Sequence, residues 1–575
     1  MRPPSAGRLA AIGLRGLVRR SLLVCVVLLA SIAQSASAAD PIMPLAEVRP
    51  GMRCIGLSVV RGTEISSFDV EILDVIAREA GLSGPRILVR TSGPAVAESG
   101  IGQGFSGSPI MCDGRNAGAI SEGLGEYGND VVLATPIEEI LSDRPPSVVG
   151  ATRDVRLART ARPLVAPLTV SGLSAHSRQL LTRAAERAGR TVLAAPPGPL
   201  VGYPPVDLQP GASLVAGLST GDITLGALGT VAYRDGSSVW AFGHPLEGLG
   251  RRSLFMQDSY VYGVISNPIG IPAAGALSYK LGSGAGHVVG GVTSDTVASV
   301  AGTLGSEPPS IPLRVVARDA RGKVELVQLR LADERALGYG ARLALLSPLA
   351  ASQALDGLTR SRAPVTLSMC ERFRVRGVRR PLGFCNAYFD TNSALSDLTQ
   401  AGEMIDSFDL APLDVEEAEV RLEARPGVVE DVLIDADGPK RARPGHRIRL
   451  RLTVQRRRGA RRRLSASLRL PASLPAGRHT LRLQGTGGDT ALSALEAELG
   501  VVIILLTSNS DRSEPRSVRE LGRALRRLHR PLGIEARLKR RRLGLVVRSD
   551  RVSYEGSAEL RLRVVRKRAR RGAAG

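Results

Sequence analysis

At 575 residues the chain is too long for one hydrophobic core and predicts three or four domains. Its 43% hydrophobic content excludes wholesale disorder, and 3% aromatics argue against a stacking reader of single-stranded nucleic acid or sugar. The net charge of +23 is unevenly spread, because residues from Lys440 onward hold 36 Lys/Arg against 10 Asp/Glu, residues 1–38 hold five Arg and no acid, and the stretch between is mildly acidic.

Only five of the 77 basic residues are lysine: Lys280, Lys323, Lys440, Lys539 and Lys567. An arginine excess this lopsided reflects codon bias as much as a binding surface. The sign of the basic end is therefore more informative than its arginine content.

The N-terminus reads as a secretory signal over residues 1–38. Arg19-Arg20 precedes an apolar run from Leu22 to Ile32, and Ala36-Ser37-Ala38 supplies a cleavage pattern. A retained anchor helix and a twin-arginine signal are the alternatives. No later apolar run is long enough to span a bilayer as a helix, the longest being Leu499 to Leu506. The expectation is a protein secreted or held in the cell envelope. Four cysteines remain after the signal, and locality pairs Cys54 with Cys112 and Cys370 with Cys385, with four free thiols as the alternative. No Cys/His spacing suggests a metal, and no cofactor is expected.

Residues 39–143 read as short strands, Cys54 to Arg61, Phe68 to Ile76, Arg86 to Thr91, Asn116 to Ser121 and Val131 to Ala134, closed by a short helix capped by Thr135. Residues 144–220 form a linker and helical insertion, with Ser174 capping a helix that stops at Gly189. Strands resume over 221–345, where Asp235-Gly236 predicts a hairpin that delivers His244. A mixed segment, 346–410, precedes strong alternation over 411–506, which predicts an antiparallel β-sandwich. Residues 507–575 read as a basic helical and β tail, with Ser517 and Glu520 as a capping box.

The most specific local feature is Gly104-Phe105-Ser106-Gly107-Ser108-Pro109. Flanking glycines permit a tight turn that exposes a serine hydroxyl beside amide groups, and the Gly104 and Ser106 amides are the candidate oxyanion hole. A plain Gly/Ser turn is the alternative. Gly102-x-Gly104-x-x-Gly107 matches a dinucleotide fingerprint but lacks the helix that motif requires, and an α/β-hydrolase elbow would need glycine at Ser108. A serine nucleophile needs a base. Of six histidines, His446, His479 and His529 lie in the basic end, His176 on a polar helix face and His287 in a Gly-rich loop, which leaves His244 in Phe242-Gly243-His244-Pro245.

Together, Gly51-Met52-x-Cys54-x-Gly56, Phe68-Asp69-Val70-Glu71-Ile72, the Gly104–Pro109 block, and Gly229-Thr230 leading to Phe242-Gly243-His244 resemble the SpoIVB peptidase domain, the sporulation serine peptidase family, over residues 40–345. The resemblance implies a mainly β fold with a chymotrypsin-like double β-barrel core, Ser106 as nucleophile, His244 as base and a protein substrate. Three departures stand out. The serine block precedes the histidine block, no PDZ-like module is recognisable, and Thr91 stands where the family places its acid, with Asp69, Glu71 and Asp258 as unranked substitutes. The leading expectation is an exported serine endopeptidase-like protein, and the alternative is a catalytically weak or inactive scaffold that binds a partner. The arginine face of the C-terminal strands suits an anionic envelope polymer or membrane surface, or is simply solvated; export argues against nucleic acid.

Overall fold

The computed structural model describes residues 41–76, 84–124, 130–142, 161–163, 168–187, 192–196, 202–266, 278–358, 365–457, 459–487, 515–539 and 541–565. The signal segment, most of the 144–167 linker, Leu499 to Leu506 and Arg566-Lys567-Arg568 lie outside them. Among the described residues the chain is mainly β, and no helix is long and apolar enough to cross a membrane.

The first unit contains strands β1 (Arg53–Arg61), β2 (Glu64–Ile76), β3 (Arg86–Ser92), β4 (Pro109–Cys112), β5 (Arg115–Leu124) and β6 (Val131–Pro136), followed by the short helix α1 (Ile137–Ile140). The pairings run β4-β1-β2-β3-β6-β5 and return to β4, all antiparallel, so the sheet closes into a six-stranded barrel. Closure removes the unpaired edges that an open sheet would present. Phe68, Ile72, Ile87, Val89, Phe105 and Ile110 fill its interior. A disulfide joins Cys54 on β1 to Cys112 at the end of β4.

Beyond β7 (Ala161–Pro163), strand β8 (Leu168–Ser171), helix α2 (Ala175–Arg187) and β9 (Val192–Ala194) form a parallel crossover, with the Ser174 hydroxyl accepting from the Ser177 amide at the helix start. The segment expected as a linker and helical insertion, 144–220, therefore adds β8, β9 and most of the strand that follows them to a larger sheet. Next come β10 (Ser213–Gly221), β11 (Thr224–Asp235), β12 (Ser238–Ala241), β13 (Gly250–Asp258), the β14 (Val261–Ile265) and β15 (Tyr279–Gly282) pair, β16 (Val288–Asp295) and β17 (Val300–Leu304). Pairings β10-β13-β16-β17-β12-β11 return to β10, a second closed circuit of six antiparallel strands.

From this circuit the sheet continues through β18 (Ser310–Asp319) and β19 (Val324–Ala332). Helix α3 (Leu343–Leu358), strands β20 (Val365–Val375) and β21 (Leu382–Tyr388), helix α4 (Thr391–Asp406) and β22 (Val415–Pro426) complete an α/β layer with one apolar core. A second disulfide joins Cys370 to Cys385 across β20 and β21. The segment expected as a mixed connection, 346–410, thus belongs to a layer whose helices cover the sheet.

Alternation in Ala418, Val420, Leu422 and Ala424 is real, but β22 pairs with β18 and β20 rather than with the strands that follow it. Alternation identifies a one-faced strand, not the sheet it joins. The last unit takes β23 (Val429–Asp437), β24 (Arg441–Ala442), β25 (Arg447–Arg456), β26 (Arg461–Arg469) and β27 (Gly477–Gly485). After helix α5 (Val518–Arg527) come β28 (Gly533–Leu538), β29 (Arg541–Arg548), β30 (Val552–Glu555) and β31 (Ser557–Val564). They form a four-stranded and a five-stranded sheet around one shared core. The boundary expected near residue 507 cuts through this unit, since β28 to β31 complete both sheets, while α5 packs Leu521 and Leu525 into the middle layer.

Because Cys54 and Cys112 close a loop of 58 residues in sequence separation, Cys54→Ala/Cys112→Ala should lose about 4 kcal/mol of stability. Urea unfolding of the double variant and the parent measures this, and an unchanged midpoint refutes it.

Candidate active site

The serine loop leaves the first barrel between β3 and β4, with Gly104 and Gly107 both at positive φ. A Cβ on Gly107 would lie 1.9 Å from the Thr230 carbonyl oxygen and 2.6 Å from the Phe242 amide nitrogen. Only a residue without a side chain permits this approach. It is made to β11 and to the end of β12, so the serine block and the histidine block interlock across the two strand circuits. The Thr230 amide donates to the Ser106 carbonyl at 2.9 Å, and the Thr230 hydroxyl donates to the Gly104 carbonyl at 2.8 Å.

The histidine turn is fixed from the opposite side. Phe242 and Gly243 both take positive φ, and the Phe242 side chain is fully buried. A residue with a large side chain held in that region is strained, and such strain persists only where its surroundings enforce it. The enforcing contact comes from Thr135, whose hydroxyl donates to the Gly243 carbonyl at 2.7 Å. Sequence reasoning assigned Thr135 to a helix cap. In the structure α1 starts at Ile137 with no side-chain cap, and the hydroxyl serves the histidine turn instead.

His244 is almost fully buried. Its Nδ1 lies 2.7 Å from the Pro245 carbonyl oxygen, so the neutral ring carries its proton on Nδ1 and leaves Nε2 as the basic nitrogen. The loop bearing that carbonyl is held by Asp295, a wholly buried carboxylate that accepts from the amides of Leu246, Glu247 and Gly248 and from Arg252. Asp295 was not singled out from the sequence, where nothing marks it among the other acids.

Ser106 is also fully buried, and among the described residues its Oγ makes no hydrogen bond, the bond to His244 included. A buried hydroxyl left unpaired costs about 1–3 kcal/mol, which makes it a group whose retention calls for a reason. Neither the Gly104 nor the Ser106 amide donates to a protein acceptor among the described residues. Two uncommitted amides beside an uncommitted hydroxyl are the parts an oxyanion site requires.

None of the acids offered for a triad contacts His244 among the described residues. The Thr91 hydroxyl donates to the Asp130 carbonyl. Asp69 is exposed, and Glu71 pairs with Arg90. Asp258 accepts from the amide of His287 and lies 2.9 Å from its Nδ1, and it also takes the Tyr203 hydroxyl. Burial beside that carboxylate raises the Tyr203 pKa, keeping the phenol protonated. His176 is exposed on α2.

The group that sequence reasoning missed is Lys280, on β15. Its side chain is fully buried, and its Nζ sits 2.8 Å from Ser58 Oγ and 2.9 Å from Thr230 Oγ1, over the Phe105 ring at 4.8 Å. Desolvation lowers its pKa to about 7. The rarity of lysine in this chain was the available signal.

Compared with known proteins, the chain matches no family model, no curated protein and no solved structure. No grouping of His, Cys, Asp or Glu suited to a metal occurs among the described residues. On the C-terminal unit Arg447, Arg449 and Arg451 face solvent opposite Ile448, Leu450 and Leu452. Much of the surrounding charge is paired: Arg456 and Arg462 share the buried Asp431, Arg457 meets Glu430 and Glu555, and Arg451 meets Asp437.

Gly107→Ala should destabilise by about 3 kcal/mol or more, because the new methyl meets backbone on two sides. Gly114→Ala, at positive φ but in open space, should cost only about 1 kcal/mol. Comparable losses in thermal unfolding of the two variants would contradict the interlock.

Proposed function

We propose that the chain is an exported serine endopeptidase-like protein with a SpoIVB-like core, in which the closed first barrel and the second strand circuit correspond to a chymotrypsin-like pair of barrels. The observation that carries this reading is the interlock of the two blocks: Gly107 lies against Thr230 and Phe242, and His244 presents Nε2 as its basic nitrogen. Ser106 would attack a peptide carbonyl while His244 takes its proton and later returns it to the leaving amine. The Gly104 and Ser106 amides would hold the oxyanion. Water would then release the acyl group by the same route. In this mechanism the Pro245 carbonyl, braced by Asp295, does the orienting that the family assigns to an acid, without the charge that stabilises imidazolium.

The burial of Ser106 and its lack of a hydrogen bond among the described residues favour a second reading, a peptidase-fold scaffold that binds a partner without cleaving it. Under the first reading the same facts describe a closed resting state, and the serine loop must open to admit substrate. In both, we read the two C-terminal sheets as a β-sandwich whose arginine face meets an anionic envelope polymer or membrane surface.

A fluorophosphonate probe should label the mature protein and leave Ser106→Ala unlabelled. His244→Ala should slow labelling by about a hundredfold or more. Equal labelling of parent and Ser106→Ala removes the peptidase reading, and a complete absence of labelling in the folded parent favours the scaffold.

A further inference from the structure

Lys280 stands out because the described residues around it supply no counter-charge. Burial is the sole cause of its depressed pKa, and no carboxylate pairs with it among the described residues. The groups that face it are hydroxyls, a ring and backbone: Ser58 from β1, Thr230 from β11, and Gly104 and Phe105 from the serine loop. None of these titrates near neutrality. An isolated buried ammonium is expensive, so a lysine in this setting calls for a reason beyond packing.

Its partners all lead to one place. One hydroxyl relay passes from Nζ to Thr230 Oγ1, which donates on to the Gly104 carbonyl at 2.8 Å. The other passes from Nζ to Ser58 Oγ, which lies 2.9 Å from Ser108 Oγ. Between the two ends, the ammonium stands over the Phe105 ring. Contacts therefore reach residues 104, 105 and 108, on both sides of Ser106. The backbone adds to this hold: the Gln103 amide donates to the Ser278 carbonyl and the Lys280 amide to the Gln103 carbonyl, so β15 runs beside the loop. The Lys280 stem also lies 3.1 Å from where a Gly104 Cβ would stand.

We propose that Lys280 is a positioning residue for the serine loop, its side-chain nitrogen fixing residues 104–108 through the Thr230 and Ser58 hydroxyl relays and thereby setting the place of Ser106 and of the two uncommitted amides. The proposal deepens the serine peptidase reading and rests on it for its catalytic meaning. The physical link is the hydrogen bond. A neutral amine still donates to both hydroxyls, whereas an ammonium in the same place carries the cost of burying a charge without a carboxylate beside it. Loss of the proton keeps the same atoms in contact and removes that cost.

The lowered pKa of about 7 sets the direction. A loop that opens returns the amine to water and toward its ordinary, higher pKa, so opening takes up a proton and becomes easier as the pH falls toward 7; above it the neutral amine is buried without a charge cost and the loop is held more firmly. Arginine, which does not lose its proton and brings five donors to two hydroxyls, should hold the loop poorly at any working pH. Methionine should lack the relays throughout.

The test is hydrogen exchange of the peptide covering residues 102–110 in the mature full chain, expressed as protection over the intrinsic rate. Between about pH 6 and about pH 9 the parent should gain protection by about tenfold or more. Lys280→Arg and Lys280→Met should be poorly protected at both. Unchanged protection in the parent overturns the proposal, and because this arm needs no variant it decides even if the substitutions prevent folding. Fluorophosphonate labelling run on the same samples separates this proposal from the reading beneath it. Protection that rises with pH while Ser106 is never labelled supports Lys280 and rejects the nucleophile. Labelling of Ser106 with pH-independent protection does the reverse.

Discussion

The close approach of Gly107 to the Thr230 carbonyl and the Phe242 amide is the constraint on which the rest of the candidate site depends. Two closed strand circuits need not share their functional loops. Here they do, because one position lacks a Cβ and the backbones of both can meet there. Once they meet, polar groups that would otherwise be stranded in the seam satisfy one another: Thr230 serves the Ser106 and Gly104 carbonyls, and Thr135 serves Gly243. The seam is thus specified by hydrogen bonds as well as by packing. Removing either partner would leave a buried carbonyl without a donor.

At His244 a backbone carbonyl holds the ring's Nδ1, and none of the candidate acids reaches it among the described residues. A carboxylate beside Nδ1 would select the tautomer and also stabilise the protonated ring. A backbone carbonyl selects the tautomer only. Asp295 restores part of the geometry by holding three successive amides just beyond Pro245, so the negative charge is present in the turn but spent on the backbone. Catalysis arranged in this way would rest more heavily on the oxyanion amides than on imidazolium stabilisation. Asp258, the acid nearest in sequence to the histidine block among those considered, serves a different ring, that of His287.

Much of the first barrel was legible in the sequence because its strands alternate and its turns carry glycine. Cys54 and Cys112 stand opposite one another for the same reason, on strands whose register follows from burying one face. The α/β layer was not legible. Leu343–Leu358 is apolar nearly all round and carries Pro348, so it shows neither helical periodicity nor a clean boundary. Sheet membership of β22 escaped as well, since alternation is a local property and its partners β18 and β20 are fixed by packing against α3 and α4. At the site, Ser106 and His244 could be named from flanking glycines. Asp295 could not, and the rarity of lysine marks Lys280 without giving it a role, because the roles of both exist only after distant strands come together.

The arginine bias of the chain gives meaning to the one lysine buried among the described residues. A guanidinium at position 280 would stay charged at every working pH and has five donors to satisfy, while the site offers two hydroxyls and a ring. Elsewhere in the molecule buried arginines are given carboxylates, as Arg86 is by Glu122 and Arg252 by Glu334. Position 280 has none. An ammonium is compact enough for two hydroxyl partners and can lose its proton where burial demands it. A composition that supplies arginine almost everywhere would not place lysine at the centre of the serine loop's support by default, so the exception follows from the number of donors and the freedom to discharge rather than from charge alone.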